Sequence, residues 1–130
     1  MTKLTPEQKL KYAILDLQYQ WDDLALSTEL NGEQIEDLWD EAEYIIDAMN
    51  EIRCTGTPTG LNAPYSRHYE SEAVAVQCPN GEWVGFTYWY GGGKHGEPEA
   101  IDWIGHAYDV ECFEEQKMMT VRTFKNLGEE

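Results

Sequence analysis

Long apolar runs are missing from this sequence. No stretch approaches the roughly 20 residues that cross a bilayer as a helix, and the opening MTKLTPEQK has no hydrophobic signal core. Cysteine is scarce and unpatterned. Cys54, Cys78 and Cys112 are odd in number and form no CxxC pair. That argues against a disulfide framework and fits a reducing, cytoplasmic setting. His68, His95 and His106 show neither HxxxH nor HExxH spacing, so no zinc site is expected. Positive charge is the scarcest property of all. Nine Lys and Arg stand against 25 Asp and Glu in 130 residues, a net charge of −16. Such a field repels nucleic acid, nucleotides and anionic membranes and attracts basic surfaces.

The deficit is patterned. From Tyr12 to Ile52 there is no Lys or Arg, while twelve acids occur. Surface helices ordinarily mix both signs, because Glu–Lys pairs four apart add about 0.2–0.5 kcal/mol each and like-charge pairs cost as much. Solubility alone does not require so pure a stretch.

What is present is enough for a folded domain. Apolar residues make up 42%, with five Trp and eight Tyr, and a chain of this length hides about two-thirds of its unfolded surface. Thr5-Pro6-Glu7-Gln8 reads as a capped helix start. Leu10, Ala13, Ile14, Leu17, Trp21, Leu24, Ala25 and Thr28 then fall on one stripe of a 3.6-residue helix, predicting a helix over 5–29. Asn31-Gly32 interrupts it and caps a second helix over 32–53, striped by Ile35, Leu38, Trp39, Ala42, Ile45, Ile46, Met49 and Ile52. So short a connection predicts an antiparallel helical hairpin.

Residues 54–69 have the Gly, Pro, Thr and Asn content of a loop, and residues 70–126 read as β-rich. Residues 73–78 form a strand pattern. Asn80-Gly81 signals a hairpin, and Trp83–Tyr90 is a strand apolar on both faces. Pro98 opens a possible short helix to Ala107. Residues 110–113 and 117–125 are further strand candidates. The expected architecture is one α+β domain over 1–130: a helical hairpin packed on an antiparallel sheet of three to four strands.

The acids on the helices are the candidate site. Glu36, Asp40, Glu43, Asp47 and Glu51 form a row at helical spacing, about 6 Å apart along the axis for residues four apart. That repeat is comparable to successive phosphates, and Asp16, Asp22 and Asp23 extend it from the first helix. A groove built for a phosphate backbone would accept such a row. The plain alternative is a solvated helix face. A second alternative is a Mg²⁺-dependent nucleotide phosphohydrolase using Glu33, Glu36 and Asp40, but the hairpin offers no base for phosphates between Lys11 and Arg53. A third is a structural or regulatory oligomer joined through surplus aromatics such as Tyr88 and Tyr90.

Gly91-Gly92-Gly93-Lys94-His95-Gly96 does not match a phosphate-binding loop, because His follows the Lys and the spacing differs. Cys54 with His68, or Cys112 with His106, carries no local sign of nucleophilic catalysis. The Trp residues are read as core, Trp21 and Trp39 on the helix stripes. No catalytic residue, cofactor or metal is expected.

The segment FTYWYGGGKHGEPEAIDWIGHAYDV (86–110) and the ending VRTF (121–124) resemble small uncharacterised acidic proteins encoded by bacteriophages and prophages. The resemblance implies a phage protein acting in the bacterial cytoplasm. Small acidic phage proteins include inhibitors of host defence, among them DNA mimics, and this chain is similar to those in size and charge. The expected function is therefore non-enzymatic: occupation of a basic, nucleic-acid-binding surface on a host protein.

Overall fold

The structure, a computed structural model, describes residues 3–93, 96–112, 122 and 124. Helices occupy the N-terminal part and strands the C-terminal part, an α+β arrangement. Helix α1 spans Pro6–Trp21, α2 Gly32–Glu41 and α3 Ile46–Thr55. Strands β1 (Thr57–Pro58), β2 (Glu70–Gln77), β3 (Trp83–Tyr90) and β4 (Tyr108–Val110) form one antiparallel sheet in the order β1-β2-β3-β4.

Helix starts follow local side-chain chemistry. At α1 the Thr5 hydroxyl accepts from the Gln8 backbone N–H (3.2 Å), and the Gln8 side-chain Oε1 accepts from the Thr5 backbone N–H (3.0 Å). Asn31 and Gln34 repeat this reciprocal cap at α2. Helix ends depart from the apolar stripe. The expected helix 5–29 stops at Trp21, and the expected helix 32–53 is two helices broken over Ala42–Ile45. Neither α1 nor α2 has a basic residue in its last turn. Asp22 and Asp23 instead follow α1, while Asp40, Glu41 and Glu43 crowd the end of α2. Carboxylates there oppose the helix dipole and repel one another. Asp23 and Tyr44, both with positive φ (58° and 59°), turn the chain at the two ends.

The break also serves packing. Ile35 of α2 joins Tyr12, Ala13 and Leu15 of α1 in one core cluster, against which Leu26 and Leu30 of the 22–31 connection also pack. Ala48 of α3 joins a second cluster with Leu10, Ile14, Val74, Val84 and Phe86, the meeting of helices and sheet. The Tyr12 hydroxyl donates to the Ser27 carbonyl and accepts from the Leu30 N–H, pinning 22–31 back onto α1.

Strand β3 is interior, and Val84, Gly85, Phe86 and Thr87 are buried in succession, so both faces are covered, as its double apolar pattern predicts. The Asn80-Gly81 hairpin joins β2 to β3, with Gly81 at φ 92°. Part of the expected loop 54–69 enters the sheet as β1, where Pro58 is tolerated because the strand is at an edge. The expected helix 98–107 is only a 3₁₀ turn, Pro98–Ala100. The Asp102 carboxylate accepts from the Gly105 N–H (2.9 Å), a local turn that competes with helix. The strand expected at 110–113 is β4, placed two residues earlier. That expected over 117–125 falls outside the described residues save Arg122 and Phe124, as do Lys94 and His95.

Two substitutions test this packing. A Cβ on Gly85 would lie 2.5 Å from the Tyr108 ring, so Gly85→Ala is expected to cost about 1–3 kcal/mol. Tyr12→Phe strands the Ser27 carbonyl and is expected to cost about 1–3 kcal/mol in urea unfolding.

Candidate functional site

Helix α1 carries the electrostatic organisation of the molecule. Its residues Lys9 to Leu15 are all buried, two lysines included. The Lys9 ammonium lies 2.7 Å from Glu82 and 2.6 Å from Asp109. The Lys11 ammonium lies 2.9 Å from Glu36 on α2 and 3.4 Å from Glu7, and stands over the Trp39 ring at 5.6 Å. Arg53 of α3 donates to the Trp89 carbonyl (2.8 Å) and lies over the Tyr88 ring at 5.1 Å. All three cations flanking the base-free stretch are thus spent inside the fold. Sequence reasoning did not foresee this. The available signal was the placing of Lys9 and Lys11 within an otherwise apolar run.

The eight predicted acids divide accordingly. Glu36 is withdrawn by Lys11 and is not a free charge. The expected row does not lie on one helix: Glu36 and Asp40 are on α2, Glu43 is in the link, and Asp47 and Glu51 are on α3. Asp16 is half-buried and accepts from the Gln20 amide (2.8 Å). Asp22, Asp23, Asp40, Glu43, Asp47 and Glu51 are exposed, and none makes an ion pair among the described residues. The Gln18 amide donates to the Glu43 carbonyl (2.6 Å), tying the last turn of α1 to the α2–α3 link.

Trp21, read as core, is half-exposed, because α1 ends there before its stripe is complete. Leu24, Tyr44 and Ile46 are also exposed.

The residues of the phosphohydrolase alternative are not assembled. Glu33 is exposed, Glu36 is held by Lys11, and among the described residues no group of three or more His, Cys, Asp and Glu could hold a metal ion. Two clefts lie elsewhere, at the β4 end of the sheet. One of 280 Å³ is walled by Leu61, Ala75, Trp83 and Val110, and one of 590 Å³ holds Lys3, Lys9 and Asp109. Cys54 and Cys112 are exposed and Cys78 is buried at the β2–β3 turn, where burial pushes its thiol pKa up. Among the described residues no helix is long and apolar enough to cross a membrane.

Compared with known proteins, the chain matches no protein-family model, no curated protein and no solved structure.

Burial opposes the charge on Lys9 and Lys11, but the carboxylates of Asp109 and Glu82, and of Glu36 and Glu7, outweigh it, so both pKa values rise. Burial also raises Tyr12. Groups with raised folded values stabilise fully below their unfolded values, and that stability is lost as pH climbs through the folded values. The urea midpoint is therefore expected to fall above pH 9.0, the ordinary thiol value, and further above 10.5, the ordinary lysine value. Lys9→Met with Lys11→Met is expected to shrink the second component, leaving the part that Tyr12 contributes above its ordinary value of 10.0, and to keep the first.

Proposed function

We propose that this protein is a non-enzymatic acidic binding protein of phage type. It occupies a basic, nucleic-acid-binding surface of a host protein in the bacterial cytoplasm and competes with the natural ligand. One observation carries the reading. The lysines and arginine flanking the base-free stretch are engaged within the fold, and ten of the twelve carboxylates of that stretch, six of the predicted site residues among them, stay exposed without an ion pair among the described residues. An acidic surface left this way complements a cationic groove and steers toward it over a screening length of about 8–10 Å.

The helical layer acts as a hairpin-like arm on the sheet, and its interruption at Ala42–Ile45 divides the charges into segments. Asp22 and Asp23 end α1. Asp40 and Glu43 stand near the break, and Asp47 and Glu51 follow on α3. This replaces one continuous row of charges with separate groups on α2, the link and α3. The phage origin and the inhibitory role belong to the same proposal, supported by charge, size and the resemblance of residues 86–110.

The immobilised protein is expected to retain basic nucleic-acid-binding proteins from a bacterial lysate at low salt. They should elute as salt rises and be displaced by duplex DNA. Asp40→Lys with Asp47→Lys is expected to weaken retention by roughly tenfold or more and flatten the salt dependence, with the fold intact and a cooperative urea transition retained. Retention of acidic proteins only, or undiminished binding by the double variant, overturns the proposal.

A further inference from the structure

We infer that the anionic surface has an apolar centre, formed by Trp21, Leu24, Tyr44 and Ile46, that takes a basic amphipathic segment of a protein partner. The inference rests on the functional reading above and specifies what chemistry that surface selects.

The four side chains belong to two junctions that the fold brings together. Trp21 closes α1 and Leu24 follows its last turn. Tyr44 lies in the α2–α3 link and Ile46 opens α3. The Gln18–Glu43 bond of 2.6 Å joins these junctions. Trp21 stands three residues beyond Gln18, about 4.5 Å along the axis, and Tyr44 is the residue after Glu43.

All four are exposed by more than half, Trp21 51%, Leu24 58%, Tyr44 89% and Ile46 65%. Single exposed apolar residues are ordinary, but four of them at two junctions joined by a hydrogen bond point to an interaction site. Trp and Tyr are also the residues that most often anchor interfaces. Here they are interleaved with exposed Asp22, Asp23, Glu43 and Asp47 in the stretch that contains no base.

That setting chooses among occupants. A bare polycation would meet the carboxylates but leave the apolar side chains in water. A second copy would bring its own Asp22, Asp23, Glu43 and Asp47 against the same charges, which repels. A segment with lysine or arginine beside an apolar face satisfies both features. Tyr65 is equally exposed (91%) but lies in the 54–69 segment, which carries Arg67 and no acid, and so serves as a control.

The full-length protein should be titrated with two labelled peptides: an oligolysine, and a helix-forming peptide with the same number of lysines and leucines along one face. The amphipathic peptide is expected to bind roughly tenfold tighter, a difference of about 1.4 kcal/mol. Trp21→Ser with Tyr44→Asn is expected to abolish that advantage while oligolysine binding and the urea midpoint stay unchanged. Asn is chosen because it tolerates the left-handed backbone at position 44. Tyr65→Asn should change nothing.

Equal affinities for the two peptides, or an advantage that survives the double variant, overturn the inference and leave the anionic reading standing. If neither peptide binds, the anionic reading fails and this inference with it. A doubled mass in light scattering that the Trp21 and Tyr44 variant returns to single would make a second copy the occupant and overturn it also.

Discussion

The middle of helix α1, buried from Lys9 to Leu15 and carrying two lysines, sets the terms for this structure. It contributes to both core clusters, one shared with the sheet and α3 and one with α2 and the 22–31 connection. Its two lysine side chains are left only 10% and 11% exposed. A buried unpaired charge is costly enough that the fold must supply carboxylates to it. Lys9 takes Glu82 from the β2–β3 turn and Asp109 from β4, and Lys11 takes Glu36 from α2 and Glu7 from its own helix. The two clamps fasten α1 to the elements on either side. They also take up both lysines that α1 carries.

Surface character then follows from interior need. In a chain with a net charge of −16, each cation drawn inward sharpens the asymmetry outside. The exposed acids on α2, α3 and the turn after α1 are what remains once the core has been served. Arg53 follows the same economy of position, since its guanidinium is directed to the Trp89 carbonyl and the Tyr88 ring.

Legibility in the sequence divides along a physical line. Features set by neighbouring residues could be read: the caps at Thr5 and Asn31, the turn at Asn80-Gly81, and β3 with its observed bounds of Trp83 and Tyr90. Features set by balance or distance could not. The apolar stripe continues past Trp21 and across Ala42–Ile45, and nothing in its period reveals that carboxylates at both helix ends would defeat propagation. The charge excess of the site was plain from composition. The loss of Glu36 from it was not, because its partner Lys11 lies 25 positions away. The exposure of Trp21 was hidden for the same reason as the end of α1.

The sheet is a simple meander in which each strand lies beside its predecessor, and its β2–β3 ladder closes across a five-residue turn, 78–82. The Lys9–Asp109 clamp instead joins groups 100 positions apart. Closing loops costs more entropy the longer they are, and a chain emerges from the ribosome N-terminus first. Lys9 therefore meets both of its counterions only once the 100 residues that follow it have been made, so this clamp closes later in the life of the nascent molecule than the β2–β3 hairpin does.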